Sequence, residues 1–164
     1  PTLIRNSSYV AGIDGVLNAI IMDGYPVGQS IIQGEGAGPA PTTSALISDI
    51  SSISRGNIKF PFSISNKERK NLKFKNILER SFSAYLRFEV ADKPGVLSNI
   101  TQIFSKNNVS IKRLIQNPNK IKGSSSIIII THLSKDKSLN SIIKIINKRP
   151  YVRKRSKLIR IDDY

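Results

Sequence analysis

The chain has 164 residues, with 26 Lys and Arg against 11 Asp and Glu, a formal charge of +15, no Cys and no Trp. The lack of cysteine excludes disulfide staples, thiol catalysis and thiolate metal ligation, and no apolar run reaches the roughly 18 to 20 residues of a membrane-spanning helix. The length suits one or two small domains that gain from association, and Pro1–Arg5 lacks a signal-peptide layout, so the expectation is a cytoplasmic protein within a larger assembly.

In chain order, residues 15–22 (GVLNAIIM) form a branched apolar run that ends at the turn signal Asp23-Gly24. Residues 27–33 follow as its hairpin partner. Residues 34–41 (GEGAGPAP) are too rich in Gly and Pro for a regular element and read as a loop. Thr42 and Thr43 offer hydroxyls to a helix start. Ala45, Leu46, Asp49, Ile50 and Ile53 continue that helix to about Arg55-Gly56. Residues 57–81 lose all periodicity and predict a linker with a short helix.

Alternation returns at residues 83–91, a strand turned by Asp92-Lys93-Pro94-Gly95. Val96, Leu97, Ile100, Ile103 and Phe104 then make one helical face that stops at Asn107-Asn108, residues tolerant of the left-handed conformation. Residues 109–116 and 125–132 predict two strands around a loop at 117–123. Leu139, Ile142, Ile143 and Ile146 predict a second helix, and residues 151–161 a last strand. The order β-α-β-β-α-β is that of a ferredoxin-like α+β unit with two helices on one face of a four-stranded antiparallel sheet.

Basic residues cluster at 67–75 and 149–160, which invites a nucleic-acid reading through counterion release. No zinc spacing, aromatic reader pattern or basic region leading into heptads accompanies them, so the charge reads as composition bias and nucleic acid is not an expected partner.

Gly34, Gly36 and Gly38, between a strand and a helix, bare the backbone where an anion or an aromatic ring can approach. The same glycines also suit a tight connection that needs positive φ. The loop is not a P-loop, since no Gly-Lys-Ser/Thr follows, and Pro39 stands where a dinucleotide fingerprint needs its third glycine. The wider string, Asn18-Ala19, Val27-Gly28, Gly34-Glu35-Gly36-Ala37-Gly38, Pro41-Thr42-Thr43-Ser44-Ala45 and Asp49, closely resembles the end of the catalytic region of the homoserine dehydrogenases over residues 1–56. The resemblance implies an oxidoreductase that reduces aspartate semialdehyde to homoserine with NADPH or NADH, in threonine and methionine biosynthesis. It carries over Gly36, Ala37 and Gly38 as backbone contacts to the cofactor and assigns Glu35 no catalytic role. The family's nucleotide-binding unit, catalytic lysine and substrate-holding acids have no counterpart here. The expectation is therefore an inactive C-terminal portion of a longer enzyme, in keeping with the absence of an initial Met.

Residues 87–97 (RFEVADKPGVL) within the β-α-β-β-α-β order resemble an ACT domain, the amino-acid-sensing module of many biosynthetic enzymes, over residues 82–164. Pro94 presets the turn, Gly95 lets backbone approach a ligand, and the helix N-terminus favours a carboxylate. The same residues also make an ordinary turn and helix start. The resemblance implies allosteric feedback by an amino acid, expected to be threonine, in a homo-oligomer whose sheets pair side by side. Asp92, Gly95, Val96 and Leu97 are expected to line the effector site, with Asn108 and Ile111 on the neighbouring strand. His132 stands alone and predicts a structural role, with no metal site; Asp162 and Asp163 read as solvated. The rival readings are a free-standing amino-acid-binding regulator and a basic nucleic-acid-binding protein.

Overall fold

The computed structural model describes residues 1–56, 65, 67–70, 73, 76–119 and 123–162. The expected linker and the basic run at 67–75 therefore lie partly outside the described residues, as do Lys120–Lys122 of the expected loop and Asp163. The chain divides into two compact units: Asn6–Lys73, and Pro1–Arg5 with Phe74–Tyr164.

In the larger unit, alternate residues of β4 (Ser81–Ala91) turn inward, and Ala84, Leu86, Phe88 and Val90 are fully buried. A period of two sends them all to one face. Two helices cover that face. α2 (Val96–Lys106) contributes Val96, Ile100, Ile103 and Phe104, and α3 (Asp136–Ile146) contributes Leu139, Ile142 and Ile146. Phe104 meets Phe88 edge to face, with centroids 6.2 Å apart at 89°. Strands β5 (Ile111–Pro118), β6 (Ser124–Thr131) and β8 (Val152–Ile161) complete the α+β, ferredoxin-like unit in the order β8-β4-β6-β5, each pair antiparallel.

Two strands were not foreseen. β7 (Ser134–Lys135) pairs with the start of β4, and β1 (Thr2–Leu3) pairs in parallel with the end of β8. The first residues of the chain, which the sequence reading groups with the glycine loop, thus extend the edge of the sheet. A two-residue strand has no periodicity to reveal it, and only its partner makes it one.

The smaller unit is a hairpin of β2 (Leu17–Gly24) and β3 (Gly28–Glu35), with Leu17 opposite Glu35, followed by α1 (Pro39–Ser54). A short 3-10 turn at Tyr9–Gly12 precedes it. No residue of α1 is buried, and Leu46, Ile47, Ile50 and Ile53 are all more than half exposed. α1 begins three residues earlier than the threonines suggest. Pro39 and Pro41 occupy the first turn, where a missing N–H costs no helical bond. The Thr42 hydroxyl does not cap; it donates back to the Gly38 carbonyl at 2.7 Å. Among the described residues, no helix is long and apolar enough to cross a membrane.

Candidate functional site

The three glycines after β3 differ in what they do. Gly38 holds φ at +125°, a conformation side chains rarely adopt, and it caps α1. Gly36 donates its N–H to the Val16 carbonyl at 2.8 Å, and a Cβ there would collide with the Asn18 carboxamide. Gly34 lies in the hairpin register with open space beside it, so neither constraint explains it. Gly36 and Ala37 border a cleft of about 340 Å³ together with Pro41, Thr42, Glu35 and Asp49. Gly38 shapes this cleft through its backbone and is not part of the lining.

Charge decides what such a cleft accepts. Pro39 and Pro41 remove two of the N–H groups that a helix N-terminus would present, and Glu35 and Asp49 bring carboxylates. A phosphate finds few donors and meets like charge. An uncharged or cationic group meets neither obstacle.

In the larger unit, β4 ends at Ala91 and the chain turns through Asp92-Lys93-Pro94-Gly95 into α2. Gly95 is left-handed at φ +87° and carries no side-chain cap. Val96 N–H bonds Lys93 O, but among the described residues the N–H groups of Leu97 and Ser98 have no acceptor. The turn is held from both sides: Asp92 N–H donates to Gly123 O at 3.0 Å, and Ala91 N–H to Tyr151 O at 2.8 Å. A cleft of about 440 Å³ opens there, bounded by Asp92, Gly95, Val96 and Leu97 and, from the strands, by Gln116, Ser125 and Ile127. Gln116 Nε2 reaches both Asp92 Oδ1 and Ser125 Oγ at 3.4 Å.

Four of the six expected effector residues are therefore gathered, and two are not. Asn108 follows the far end of α2, which is 11 residues or about 16 Å long, and Ile111 opens β5 opposite Thr131. Topology explains the correction. β4 and β5 both run antiparallel to β6, so it is the last residues of β5, Gln116 among them, that share an end with the 92–95 turn. The order of elements already contained this signal, but the register across the 117–123 loop did not follow from it.

Behind the cleft, on the sheet face away from the helices, Arg87 bridges Glu89 at 2.7 Å, and Asn119 Nδ2 donates to the other Glu89 oxygen at 2.5 Å. Burial alone would raise the Glu89 carboxyl. The hydrogen bonds from Asn119 and Arg87, with the Arg87 charge, hold it below its ordinary value. Burial pushes the Tyr151 phenol up, and its hydroxyl has no partner among the described residues.

The sequence reading also missed Asp136, 1% exposed at the first turn of α3. Arg160 reaches its two oxygens at 3.3 and 3.4 Å while lying 4.9 Å over the Phe82 ring. His132 is exposed in the turn after β6, and no cluster of metal-ligating side chains occurs among the described residues.

Residues 1–51 match the family model described as homoserine dehydrogenase, and residues 84–150 match that of the ACT domain. A homoserine dehydrogenase of Helicobacter pylori is 31% identical over 163 residues, 99% of this chain and 38% of its own length. That of Neisseria gonorrhoeae is 33% identical over 168 residues, 99% of this chain and 39% of its own. The crystal structure of a homoserine dehydrogenase from Thiobacillus denitrificans superposes with a TM-score of 0.84 at 29% identity, over 99% of this chain and 38% of that one. The chain spans less than two-fifths of the length of these relatives.

Proposed function

We propose, from the premise that this chain belongs to the homoserine dehydrogenase family and carries an ACT domain, that it serves the reduction of aspartate semialdehyde to homoserine under feedback by an amino acid. In this reading the chain is a carboxyl-side portion of the enzyme, and the nucleotide-binding unit and catalytic lysine belong to the rest of it. The nicotinamide end of NADPH or NADH rests against Gly36 and Ala37, with Gly38 fixing the backbone that makes room. Bound there, the cofactor supplies the hydride. Gly36 and Ala37 keep the loop side of the cleft low, and the prolines and carboxylates around it disfavour a misplaced phosphate.

The effector is a free amino acid, with threonine as the expected one. One observation carries this: the cleft before α2 presents complementary charge for a zwitterion. Its unpartnered Leu97 and Ser98 N–H groups suit a carboxylate, and Asp92 suits an ammonium. Gln116 and Ser125 add neutral polar groups for the side chain. Gln116 lies on β5, whose outer edge no other strand covers among the described residues, so a second copy paired along that edge would sit beside the ligand. Binding then biases a quaternary equilibrium by the difference in affinity between its two states.

The test is NADPH oxidation by aspartate semialdehyde in the full-length enzyme at rising threonine. The half-inhibiting concentration is expected to rise at least tenfold on Gly95→Val. Inhibition unchanged in that variant removes the assignment.

A further inference from the structure

The remaining large cleft, about 520 Å³, lies between the end of α3 and the start of β8 and is lined by Lys144, Lys148, Arg153, Lys154 and Arg155, with Asn147 between them. No acid borders it. All five cations are exposed, and none has an ion-pair partner among the described residues. We propose that this cleft binds a compact, multiply charged phosphate ligand, of the class of condensed phosphates and nucleoside polyphosphates.

Composition does not produce this cleft. Residues 137–161 hold nine Lys and Arg and no Asp or Glu, while the rest of the chain holds 17 against 11. Nine cations in these 25 residues are more than twice the share that the composition of the whole chain would place there. Nor does the helix end account for it. One or two cations complement the partial negative charge at a C-terminus, and Lys144 and Lys148 already do so.

The three strand cations need a separate cause, and the local geometry supplies one. Glu89 pairs with Lys154 and Val90 with Val152, so the β4–β8 register slips twice around these residues. Bulges re-aim side chains in this way. The irregular stretch is anchored to the helix, because the Asn147 carboxamide oxygen accepts from the Ser156 N–H at 2.9 Å and from its hydroxyl at 2.7 Å. The fold thereby holds five like charges together that would otherwise spread apart.

Charge density identifies the ligand. An amino acid brings one carboxylate, and a small dicarboxylate brings two. A terminal phosphate carries about −1.5 to −2 near neutral pH and a bridging one about −1, so two or three linked phosphates bring roughly −3 to −4 into one cleft and nearly balance its five cations. Arg153 and Arg155 provide planar forks for phosphate oxygens, and the lysines act as point charges.

The experiment titrates the full chain with inorganic tripolyphosphate by calorimetry at about 50 and 200 mM salt, a range over which phosphate contacts weaken steeply. Two variants with the same change in net charge are compared, Arg153→Glu/Arg155→Glu and Lys67→Glu/Lys70→Glu. Saturable 1:1 binding is expected, weakened at least tenfold by the first pair and less than twofold by the second. A milder pair, Arg153→Gln/Arg155→Gln, repeats the loss without charge reversal, and circular dichroism verifies that each variant folds. Equal losses in both Glu pairs would show general charge attraction and overturn the proposal. So would the absence of a saturating phase, or binding of a short polyglutamate as tight as that of tripolyphosphate.

Discussion

The Asp136–Arg160 pair permits a stability prediction whose two halves differ. Asp136 has 2% of its side chain exposed, whereas Arg160 keeps 36%. At an effective dielectric of about 20, charges roughly 4 Å apart attract by about 4 kcal/mol before desolvation is counted. One Arg160 nitrogen serves both carboxylate oxygens, so the contact lacks the two-pronged fork that makes such pairs strong. Removing the arginine strands a buried carboxylate. Such losses run about 3 to 5 kcal/mol, and the partial exposure of Arg160 reduces this to about 2 to 4. Part of the loss is its stacking on Phe82. Removing the acid leaves a guanidinium that reaches water in part, with its Nε buried and without a partner, at about 1 to 2 kcal/mol. Urea unfolding of Arg160→Met, Asp136→Asn and the double variant, followed by far-ultraviolet circular dichroism, measures all three. Among the described residues the smaller unit has no buried side chain, so the cooperative transition reports the larger one. The double variant is expected to cost less than the sum of the singles by about 1 to 2 kcal/mol. If Arg160→Met costs no more than Asp136→Asn, the burial argument is wrong.

Three further outcomes follow from the geometry. Phe104→Ala empties a site 1% exposed against Phe88 and should cost about 3 to 5 kcal/mol in the same unfolding assay. Gly95→Ala meets no neighbour, so its cost is backbone strain alone, about 1 to 2 kcal/mol, and Gly95→Asn should recover part of it. Glu89 has its carboxyl lowered from an ordinary value of 4.5, so its contribution is present above that value and is lost as pH falls through the lowered one. Glu89→Gln should therefore cost under about 1 kcal/mol at neutral pH, since Arg87 is half exposed, and nothing in strong acid; a cost independent of pH in urea titrations would contradict this.

The elements with sustained period were legible in the sequence. The faces of α2 and α3 recur at spacings that a single burying face demands and enter the core, with Leu97 and Ile143 partly buried against it, whereas the inward set of β4 includes the unforeseen Ala84 and Leu86. Short elements were not, because Thr2–Leu3 and Ser134–Lys135 become strands only through partners far along the chain. At the candidate sites, the turn 92–97 was visible because Pro and Gly declare their backbone geometry. Gln116 and Ser125 were invisible, since each is an ordinary polar residue until register brings it to the same end of the sheet. The glycine loop was overread in one respect: three glycines looked equivalent, yet one answers to a side chain, one to a dihedral angle and one to neither.

The pairing of Thr2 with Arg160 closes a ring that spans residues 2–160. Bringing such distant residues together costs chain entropy that two rungs of ladder barely offset. This latch is therefore expected to open before the helix-backed strands do. Its amides, with the Asp162 N–H that bonds Leu3 O, are the natural gauge of how firmly the border of the sheet is fastened.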